Sequence, residues 1–401
     1  MRRAIQQFHQ QSGASDLIGV FAAIASISSV GIALGLAFPL LSLILESRGF
    51  SASIIGANAA IAGLSGMAAV WLVTPFARRF GVTGTMLIAS LVTAASFIAF
   101  YLFESIWIWF LLRIFFHGAL SLTFVMSEFW ITAATTEQRR GMMLGVYATM
   151  LSIGFGIGPG ILALTGSAGI LPFLIGTAIL LLACLPALAA RGRAPALSGL
   201  GHSPSGFIKY IWVVPLATGA VVAFGAIEQS ILPLIPVYGS RLGFDEAGAA
   251  LLLLVIAAGN VALQIPLGML SDRARDRRQV LYGCALVGMI GSLTLPLAIG
   301  GGPGGFWPTA ILYAHLFIWG GVISGLYTVG LAHLGSRLSG GQLAEANSAF
   351  VFCYGIGAIF GPQLAGYGME AVPPHGFAWV VALLFALYLV LCVYRAFTRP
   401  R

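Results

Sequence analysis

The chain has 401 residues, of which 59% are hydrophobic and 8% are charged, and its formal net charge is +8. Because soluble domains carry about 25% charged residues, this composition excludes a cytosolic enzyme, a secreted disulfide-rich domain and a disordered regulator. A helix that crosses a bilayer needs ~20 mostly apolar residues, so twelve such helices would occupy about 240 positions. That number is close to the hydrophobic content of the chain.

Continuous apolar runs between charged or Gly- and Pro-rich breaks predict twelve transmembrane helices. Membrane strands would alternate polar and apolar residues over ~10 positions. These runs are longer and continuously apolar, so the predicted fold class is an all-α integral membrane protein. The first run is too long for the core of a signal peptide, which predicts a retained helix. The predicted helices, called spans one to twelve below, cover residues 17–45, 52–76, 83–103, 105–134, 141–165, 168–190, 210–239, 247–270, 279–299, 308–336, 344–368 and 374–395.

The distribution of basic residues predicts the orientation. With a cytoplasmic N-terminus, 17 of the 20 Lys and Arg residues lie in inner segments, two lie outside (Arg48 and Arg241) and one, Arg113, lies within a span. This distribution follows the positive-inside rule and predicts that both termini are cytoplasmic. It also accounts for the basic charge without a nucleic-acid partner.

An internal repeat predicts the domain organisation. The only long linker, residues 191–209, follows the sixth span and separates two predicted six-helix bundles, residues 1–190 and 210–401. Both bundles enter the membrane from the same side because six is an even number, which makes them a parallel, pseudo-symmetric repeat. The matched pairs include Pro39 with Pro233 and Arg79 with Arg273 at an offset of 194, Arg113 with His315 at 202, and Gly154 with Gly357 at 203.

The connection after the eighth span carries the sequence Gly268-Met-Leu-Ser-Asp272-Arg273-Ala-Arg-Asp-Arg277-Arg278. It resembles the cytoplasmic-loop signature of the major facilitator superfamily, and together with the twelve spans the resemblance covers nearly all of the chain. It implies a gating role for Gly268, Asp272, Arg273, Arg277 and Arg278, with Asp272 latching the cytoplasmic side in one state. In the first half, Arg78 stands where the family usually has an aspartate and Arg79 follows it.

Glycine and proline in the fifth span resemble a second motif of the same family, the antiporter motif. Gly154-x-x-x-Gly158-Pro159 recurs in the eleventh span as Gly357-x-x-x-Gly361-Pro362. Glycines in a membrane helix let a neighbouring helix approach closely, and proline removes a backbone donor and bends the helix. We therefore expect helix-packing and bending roles for these six residues, not ligand binding.

Three charged side chains lie well inside predicted spans: Arg113 and Glu128 in the fourth and Glu228 in the seventh. A charge at mid-membrane costs ~3 kcal/mol on insertion scales, so it usually faces a cavity and serves function. Glu228, beside Gln229, lies ~5 Å from the middle of its span, whereas Arg113 lies ~10 Å and Glu128 ~13 Å from the middle of theirs. Glu228 is thus the first candidate for proton binding, and Glu128 reaches either a cavity or the headgroups.

Helical spacing places further polar residues beside these charges. Arg113, His117, Ser121, Phe124 and Glu128 form one stripe on the fourth span. In the superfamily the first, fourth, seventh and tenth spans line the cavity, so the resemblance implies that this stripe faces it. By the repeat, His315 and Trp319 of the tenth span correspond to Arg113 and His117, and Tyr327 lies deeper. The predicted substrate- and proton-binding residues are Glu228, Arg113, His117, Gln229, His315, Trp319, Tyr327 and Glu128.

These observations predict a secondary transporter that moves a small organic solute by alternating access. The fifth-span motif favours proton-coupled efflux, and proton-coupled uptake of a sugar or organic acid is the alternative. No ATP-binding motif occurs in the sequence, which favours transport driven by a gradient. A membrane enzyme is disfavoured because no nucleophile–base set or metal-cluster motif occurs, and a non-transporting sensor because no signalling appendage does. We expect no cofactor, no metal, a monomer whose partners are protons, a small-molecule substrate and the bilayer, and a bacterial inner (cell) membrane location.

Overall fold

The structure is a computed structural model that describes residues 17–135, 137–195, 208–300, 303–338 and 340–398. Twelve helices in these residues are long and apolar enough to cross a membrane, and no strand occurs among them, which confirms the predicted fold class. The helices are α1 Leu17–Ser47, α2 Ala52–Leu102, α3 Ile106–Ala134, α4 Glu137–Thr165, α5 Leu171–Leu182, α6 Cys184–Ala189, α7 Lys209–Val213, α8 Pro215–Arg241, α9 Glu246–Arg273, α10 Arg277–Ile299, α11 Phe306–Gly335, α12 Gly340–Ala371 and α13 Gly376–Thr398.

The helices match the predicted spans, except that the second and third spans are merged and the sixth and seventh are each divided, the seventh between α7 and α8. The second and third spans form the single helical run α2, in which Gly81 has φ 71° and ψ 173°. That left-handed φ is open to glycine and strained for other residues, so the chain turns there without a loop. The predicted break between residues 77 and 82 is therefore a glycine kink. The sixth span is divided between α5 and α6.

The chain forms two compact units. Unit 1 contains residues 1–37, 65–161 and 168–202, and unit 2 contains residues 38–64, 162–167 and 203–401, of which the structure describes the ranges given above. The end of the first span, most of the second and the end of the fifth thus belong with the C-terminal residues. The predicted linker falls largely on residues 196–207, which lie outside the described residues.

In unit 1 the first and fifth spans pack backbone to backbone through glycine. A Cβ atom added to Gly31 would lie 2.4 Å from the Leu151 carbonyl oxygen, and one added to Gly154 would lie 2.5 Å from the Ser28 carbonyl oxygen. Neither position leaves room for a methyl group. The glycines therefore let these two helices approach more closely than side chains would allow.

Unit 2 repeats this packing between the seventh and eleventh spans. A Cβ atom on Gly225 would lie 2.4 Å from the Tyr354 carbonyl oxygen, and one on Gly357 would lie 2.1 Å from the Val222 carbonyl oxygen. These contacts correspond to those of unit 1 at the offsets of 194 and 203 residues that relate the two halves of the sequence. The repeat is thus present in the internal packing of each unit.

Candidate functional site

A carboxylate, a phenol and an amide form a hydrogen-bonded chain within unit 2. The Tyr354 hydroxyl of the eleventh span donates to Glu228 Oε2 of the seventh at 2.7 Å, and Gln229 Nε2 donates to the same Tyr354 oxygen at 2.8 Å. The close approach of the two helices at Gly225 and Tyr354 brings the phenol within reach of the acid. Bonds to an ionised group are the stronger ones, so Tyr354 holds the Glu228 carboxylate in one position.

The Tyr354 end of this chain lies in a cluster of aromatic rings. The ring of Phe224, one helical turn before Glu228, lies 5.2 Å from the Tyr327 ring and 6.0 Å from the Tyr354 ring, measured between centroids. Tyr327 in turn lies 5.4 Å from Phe350. Rings present a negative face, so this set of four rings and one carboxylate suits a positively charged or protonated group.

The acid and the phenol break the internal symmetry. At the repeat offsets of 194 and 203 residues, Leu34 corresponds to Glu228 and Leu151 to Tyr354, and Gly35 corresponds to Gln229. The helix pair that packs by glycine contacts therefore occurs in both units, but at the matched positions of the described residues the polar chain occurs in unit 2 and not in unit 1. Since the packing needs no polar group in unit 1, packing does not explain the polar chain in unit 2.

Removing the Tyr354 hydroxyl tests how much this bond contributes. Tyr354→Phe keeps the ring and its packing but deletes the donor to Glu228. We expect transport to fall about 10- to 100-fold, since a hydrogen bond to a charged group is worth ~1.5–3 kcal/mol and about 1.4 kcal/mol is a factor of ten. The measurement is the initial rate of solute transport in vesicles with equal amounts of protein. Tyr147→Phe is the matched control, because the Tyr147 hydroxyl is hydrogen-bonded to a neutral group, the Ser127 hydroxyl, at 2.8 Å. A Tyr354→Phe rate equal to that of wild type would make the phenol dispensable.

Arg113 and His117 lie together in unit 1. Both side chains are buried in the fourth span, with Arg113 fully so. His117 Nδ1 lies 3.3 Å from the Arg113 carbonyl oxygen, one helical turn earlier, and the His117 ring packs edge-on against Phe116. Burying a guanidinium costs free energy, so a buried arginine in a span is usually kept for a function. The binding roles of Arg113 and His117 stay predictions, and the burial of both side chains is consistent with them.

The rest of the predicted stripe on the fourth span is less uniform. Ser121 lies next to Gly66 of the second span, because a Cβ atom added to Gly66 would lie 3.2 Å from the Ser121 hydroxyl oxygen. Phe124 packs edge-on against Tyr147. Glu128 is exposed at the end of the stripe. The structure thus groups Arg113 with His117 and leaves Glu128 apart from them.

His315 and Trp319 of the tenth span are directed at the ninth span. His315 Nε2 lies 3.0 Å from the Gly291 carbonyl oxygen, and Trp319 Nε1 donates to the Gly288 carbonyl oxygen and to Ser292 Oγ, both at 3.2 Å. This contact occupies Nε2 of His315 and Nε1 of Trp319. The geometry favours a packing role for both residues, whereas Tyr327 of the same span does lie beside the Glu228 cluster.

The loop after the eighth span forms a local network in unit 2. Arg277 pairs with Asp272 at 2.7 Å and also donates to the Ala332 carbonyl oxygen at the end of the tenth span. Arg278 pairs with Asp276 at 2.7 Å. Asp272 is exposed and so are Arg273, Arg78 and Arg79, while Gly268 is half-buried. The loop therefore ties the eighth, ninth and tenth spans together, and the latch role predicted for Asp272 stays a prediction.

A second set of polar contacts joins segments of both sequence halves within unit 2, and we call it the outer seam. Arg241 binds Glu46 with two hydrogen bonds of 2.7 and 3.0 Å. The Ser53 backbone N–H donates to Glu370 at 2.9 Å, and Ser167 donates its N–H and its hydroxyl to Glu246. In the predicted topology all these span ends lie outside. Glycine again permits close contact, since a Cβ on Gly56 would lie 2.2 Å from the Pro362 carbonyl oxygen.

Sequence reasoning did not identify Tyr354, Phe224 or the acids of the outer seam. Tyr354 is one tyrosine in an apolar span and carries no motif, and its partner lies 126 residues away. For the seam a signal existed: Glu46 and Arg241 are opposite charges at the ends of the first and seventh spans, which the repeat makes equivalent.

The chain is similar to known transport proteins over nearly all of its length. The family model described as Major Facilitator Superfamily matches residues 20–314 and 220–401. An uncharacterized MFS-type transporter of Bacillus subtilis, YfkF, is 27% identical over 379 residues, which cover 90% of this chain and 92% of the relative. A second such transporter, from an Enterobacter strain, is 24% identical and the match covers 80% of this chain and 81% of the relative.

Solved structures show the same fold at low sequence identity. The nucleoside transporter NupG superposes with a TM-score of 0.70 at 14% identity, covering 95% of this chain and 98% of that one. A D-xylose-proton symporter gives 0.70 at 15% identity, covering 94% and 97%. A bacterial homologue of the lysosomal transporter Spinster gives 0.72 at 12% identity, covering 95% and 96%.

Proposed function

Because the chain belongs to the major facilitator superfamily, we propose that it is a secondary transporter that exports a small organic cation in exchange for protons. The observation that carries the proposal is the Glu228 carboxylate, held inside the seventh span by Tyr354, whose ring lies next to the ring of Phe224. A carboxylate at this depth is a functional group by default. It can bind a cation when ionised and a proton when the cation leaves.

The hydrogen-bonded chain serves both states of this acid. A phenol can donate or accept a hydrogen bond, and so can the amide of Gln229 through its two ends. When Glu228 is ionised, Tyr354 donates to it. When Glu228 is protonated, its own hydroxyl can donate to Tyr354, whose proton turns toward the amide oxygen. The acid is then satisfied in both states and moves little between them.

One acid that holds either a proton or a cation favours exchange over co-transport. Antiport needs the two ligands to compete for one site, whereas symport needs them to be bound together. The alternative function, proton-coupled uptake of a sugar or organic acid, would therefore require Glu228 to stay protonated while solute binds other groups. Arg113 and His117 are the candidates for holding an anionic solute in that case.

Proton release on ligand binding separates the two functions. Purified protein in weakly buffered detergent solution would be titrated with a lipophilic quaternary cation such as tetraphenylphosphonium, with a sugar and with an organic acid. We expect the cation alone to release protons, and a protonophore to abolish its accumulation in everted vesicles. Proton uptake with the sugar or the acid, and none released by the cation, would overturn the exchange mechanism and support symport.

Alternating access assigns a role to the outer seam. We infer that its contacts hold the outer ends of the spans closed and break when the site opens to the outside. The Arg241–Glu46 pair is its best-shielded ion pair among the described residues, with side-chain exposures of 24% and 19%. A bidentate pair of this kind depends on both charges and on planar geometry.

Charge exchange across the outer seam tests this role. Glu46→Arg places two arginines face to face, and we expect it to lower transport about tenfold, equivalent to ~1.4 kcal/mol in favour of the open state. The double variant Glu46→Arg/Arg241→Glu restores the opposite charges and should recover most of the rate. The measurement is solute transport at matched protein levels in the single and double variants. Equal losses in both would show that the pair acts through something other than its charges.

A further inference from the structure

A groove runs between the eighth, ninth and tenth spans of unit 2. Its lining includes none of the residues around Glu228, which are Gln229, Tyr354, Phe224 and Tyr327. Its volume is about 410 Å³. Leu267, Leu270 and Ala274 line one wall along a single helical stripe, Gly283 and Val287 belong to the other wall, and Val322 lies at the base. Leu270 and Val287 are 54% and 45% exposed, so the groove opens sideways, where the hydrocarbon of the bilayer would be.

One end of the groove is charged. Ala274, at the mouth, stands between Arg273 and Arg275, and Gln279 lines the same end. Both arginines are exposed. The charges of the neighbouring loop residues are compensated, because Arg277 pairs with Asp272 and Arg278 pairs with Asp276. In the part of the chain that the structure describes, no acidic side chain is paired with Arg273 or Arg275.

Each aspartate of this loop forms an ion pair with an arginine of the same loop. Burial alone would raise the pKa of the Asp276 carboxyl, but the backbone and side-chain hydrogen bonds from Arg278, together with its charge, hold that pKa below its usual value. Asp276 therefore stays ionised and paired with Arg278. Arg273 and Arg275, the chain neighbours of the lining residue Ala274, therefore carry the two positive charges that no described acidic side chain pairs with.

We propose that this groove binds one anionic phospholipid, with an acyl chain between the ninth and eighth spans and the headgroup phosphate on Arg273 and Arg275. Charge complementarity selects the headgroup, and the apolar, laterally open walls select the chain. The groove extends from Gln279 to Val287 along the ninth span, which is ~12 Å at 1.5 Å per residue, so it accepts the upper part of an acyl chain. Anionic lipids are attracted to basic juxtamembrane segments.

The walls explain why the occupant is a lipid and not a soluble solute. A soluble ligand needs polar partners around it, whereas the lining below Gln279 consists of aliphatic side chains, Gly283 and Cys284. Gly283 is what makes the space: a Cβ atom added there meets no atom within 4 Å. A larger side chain at this position would therefore fill the groove without disturbing the helices that form it.

Native mass spectrometry of delipidated protein tests the proposal. The protein would be titrated with phosphatidylglycerol and with phosphatidylcholine carrying the same acyl chains. We expect wild type to bind the first phosphatidylglycerol more tightly than phosphatidylcholine. Arg273→Gln and Arg275→Gln should each lower that affinity about fivefold, the change that corresponds to ~1 kcal/mol per basic residue, with no effect on phosphatidylcholine. Gly283→Leu should weaken both lipids, because it occupies the place of the chain.

Two controls keep the outcome decisive. Arg191→Gln removes an exposed arginine far from the groove in sequence and should leave the affinity for phosphatidylglycerol unchanged. Gly283→Ala adds one methyl group and should change the affinity for either lipid only slightly. Equal melting temperatures in detergent would show that all variants are folded. The proposal is overturned if the double variant Arg273→Gln/Arg275→Gln and Gly283→Leu both bind the first phosphatidylglycerol as wild type does. Binding of both lipids with one affinity in wild type would also overturn the selection of an anionic headgroup.

Discussion

Glu228→Gln is expected to abolish proton-driven transport and to weaken binding of the cationic substrate, while leaving the transporter folded. Glutamine keeps the shape of the side chain and can still accept from Tyr354, but it cannot take up or release a proton. Since the removal of a proton-transfer group lowers a rate about 100-fold or more, we expect at least that loss in transport driven by a pH gradient. Release of protons on addition of a cationic substrate to purified protein should disappear as well.

The matched control for this experiment is Glu345→Gln. It makes the same isosteric change at an acid of the eleventh span whose side chain is 45% exposed and which pairs with Lys209. It should transport at the wild-type rate. If proton release survives in Glu228→Gln unchanged, the proton is carried elsewhere, and Glu128→Gln and His117→Gln become the variants to measure. Full transport by Glu228→Gln would reduce the acid to a hydrogen-bonded packing residue.

The sequence predicts the helices well because a membrane imposes the same requirement on every span. The sequence predicts twelve long apolar helices, and twelve helices of this kind are found among the residues that the structure describes. The kink at Gly81 was not expected as such, because a glycine that breaks a helix and one that packs within a helix look alike in a sequence. Its positive φ is a property of the folded backbone.

The candidate site could be predicted only in part. Glu228 stands out in the sequence because an acid inside an apolar span is rare, but its partner Tyr354 depends on which faces of two distant helices meet. The tenth span is a second case in which the sequence does not determine which face of a helix meets its neighbour. No single polar face fixes its rotation, and the repeat together with the family resemblance predicted that His315 and Trp319 face the cavity. The structure shows both side chains bonded to the ninth span, and their binding roles stay predictions.

Two glycines of the fifth span, two residues apart, should respond in opposite ways to the same substitution. A Cβ atom on Gly158 would lie 2.2 Å from the carbonyl carbon of Gly35 and 2.3 Å from the backbone nitrogen of Leu36, whereas one on Gly160 meets no atom within 4 Å. Gly158→Ala therefore forces two backbones apart, and we expect it to destabilise the folded protein by ~3 kcal/mol, at the upper end for overpacking. Gly160→Ala should be neutral or stabilise by up to ~1 kcal/mol, because alanine favours a helix over glycine.

The melting temperature in detergent, followed by loss of folded monomer on a size-exclusion column, measures both effects. The internal repeat adds a second arm to the experiment. A Cβ atom on Gly361, the counterpart of Gly158 in the eleventh span, would lie 2.1 Å from the Ala226 carbonyl oxygen. Gly361→Ala should therefore lower the melting temperature as Gly158→Ala does, although the two glycines belong to different units. If Gly158→Ala melts together with wild type and Gly160→Ala, the first and fifth spans cannot be in backbone contact, and the glycine motif would serve bending alone. If only one of the two motif glycines is sensitive, the packing role is confined to that unit and the symmetry between the units does not extend to their energetics.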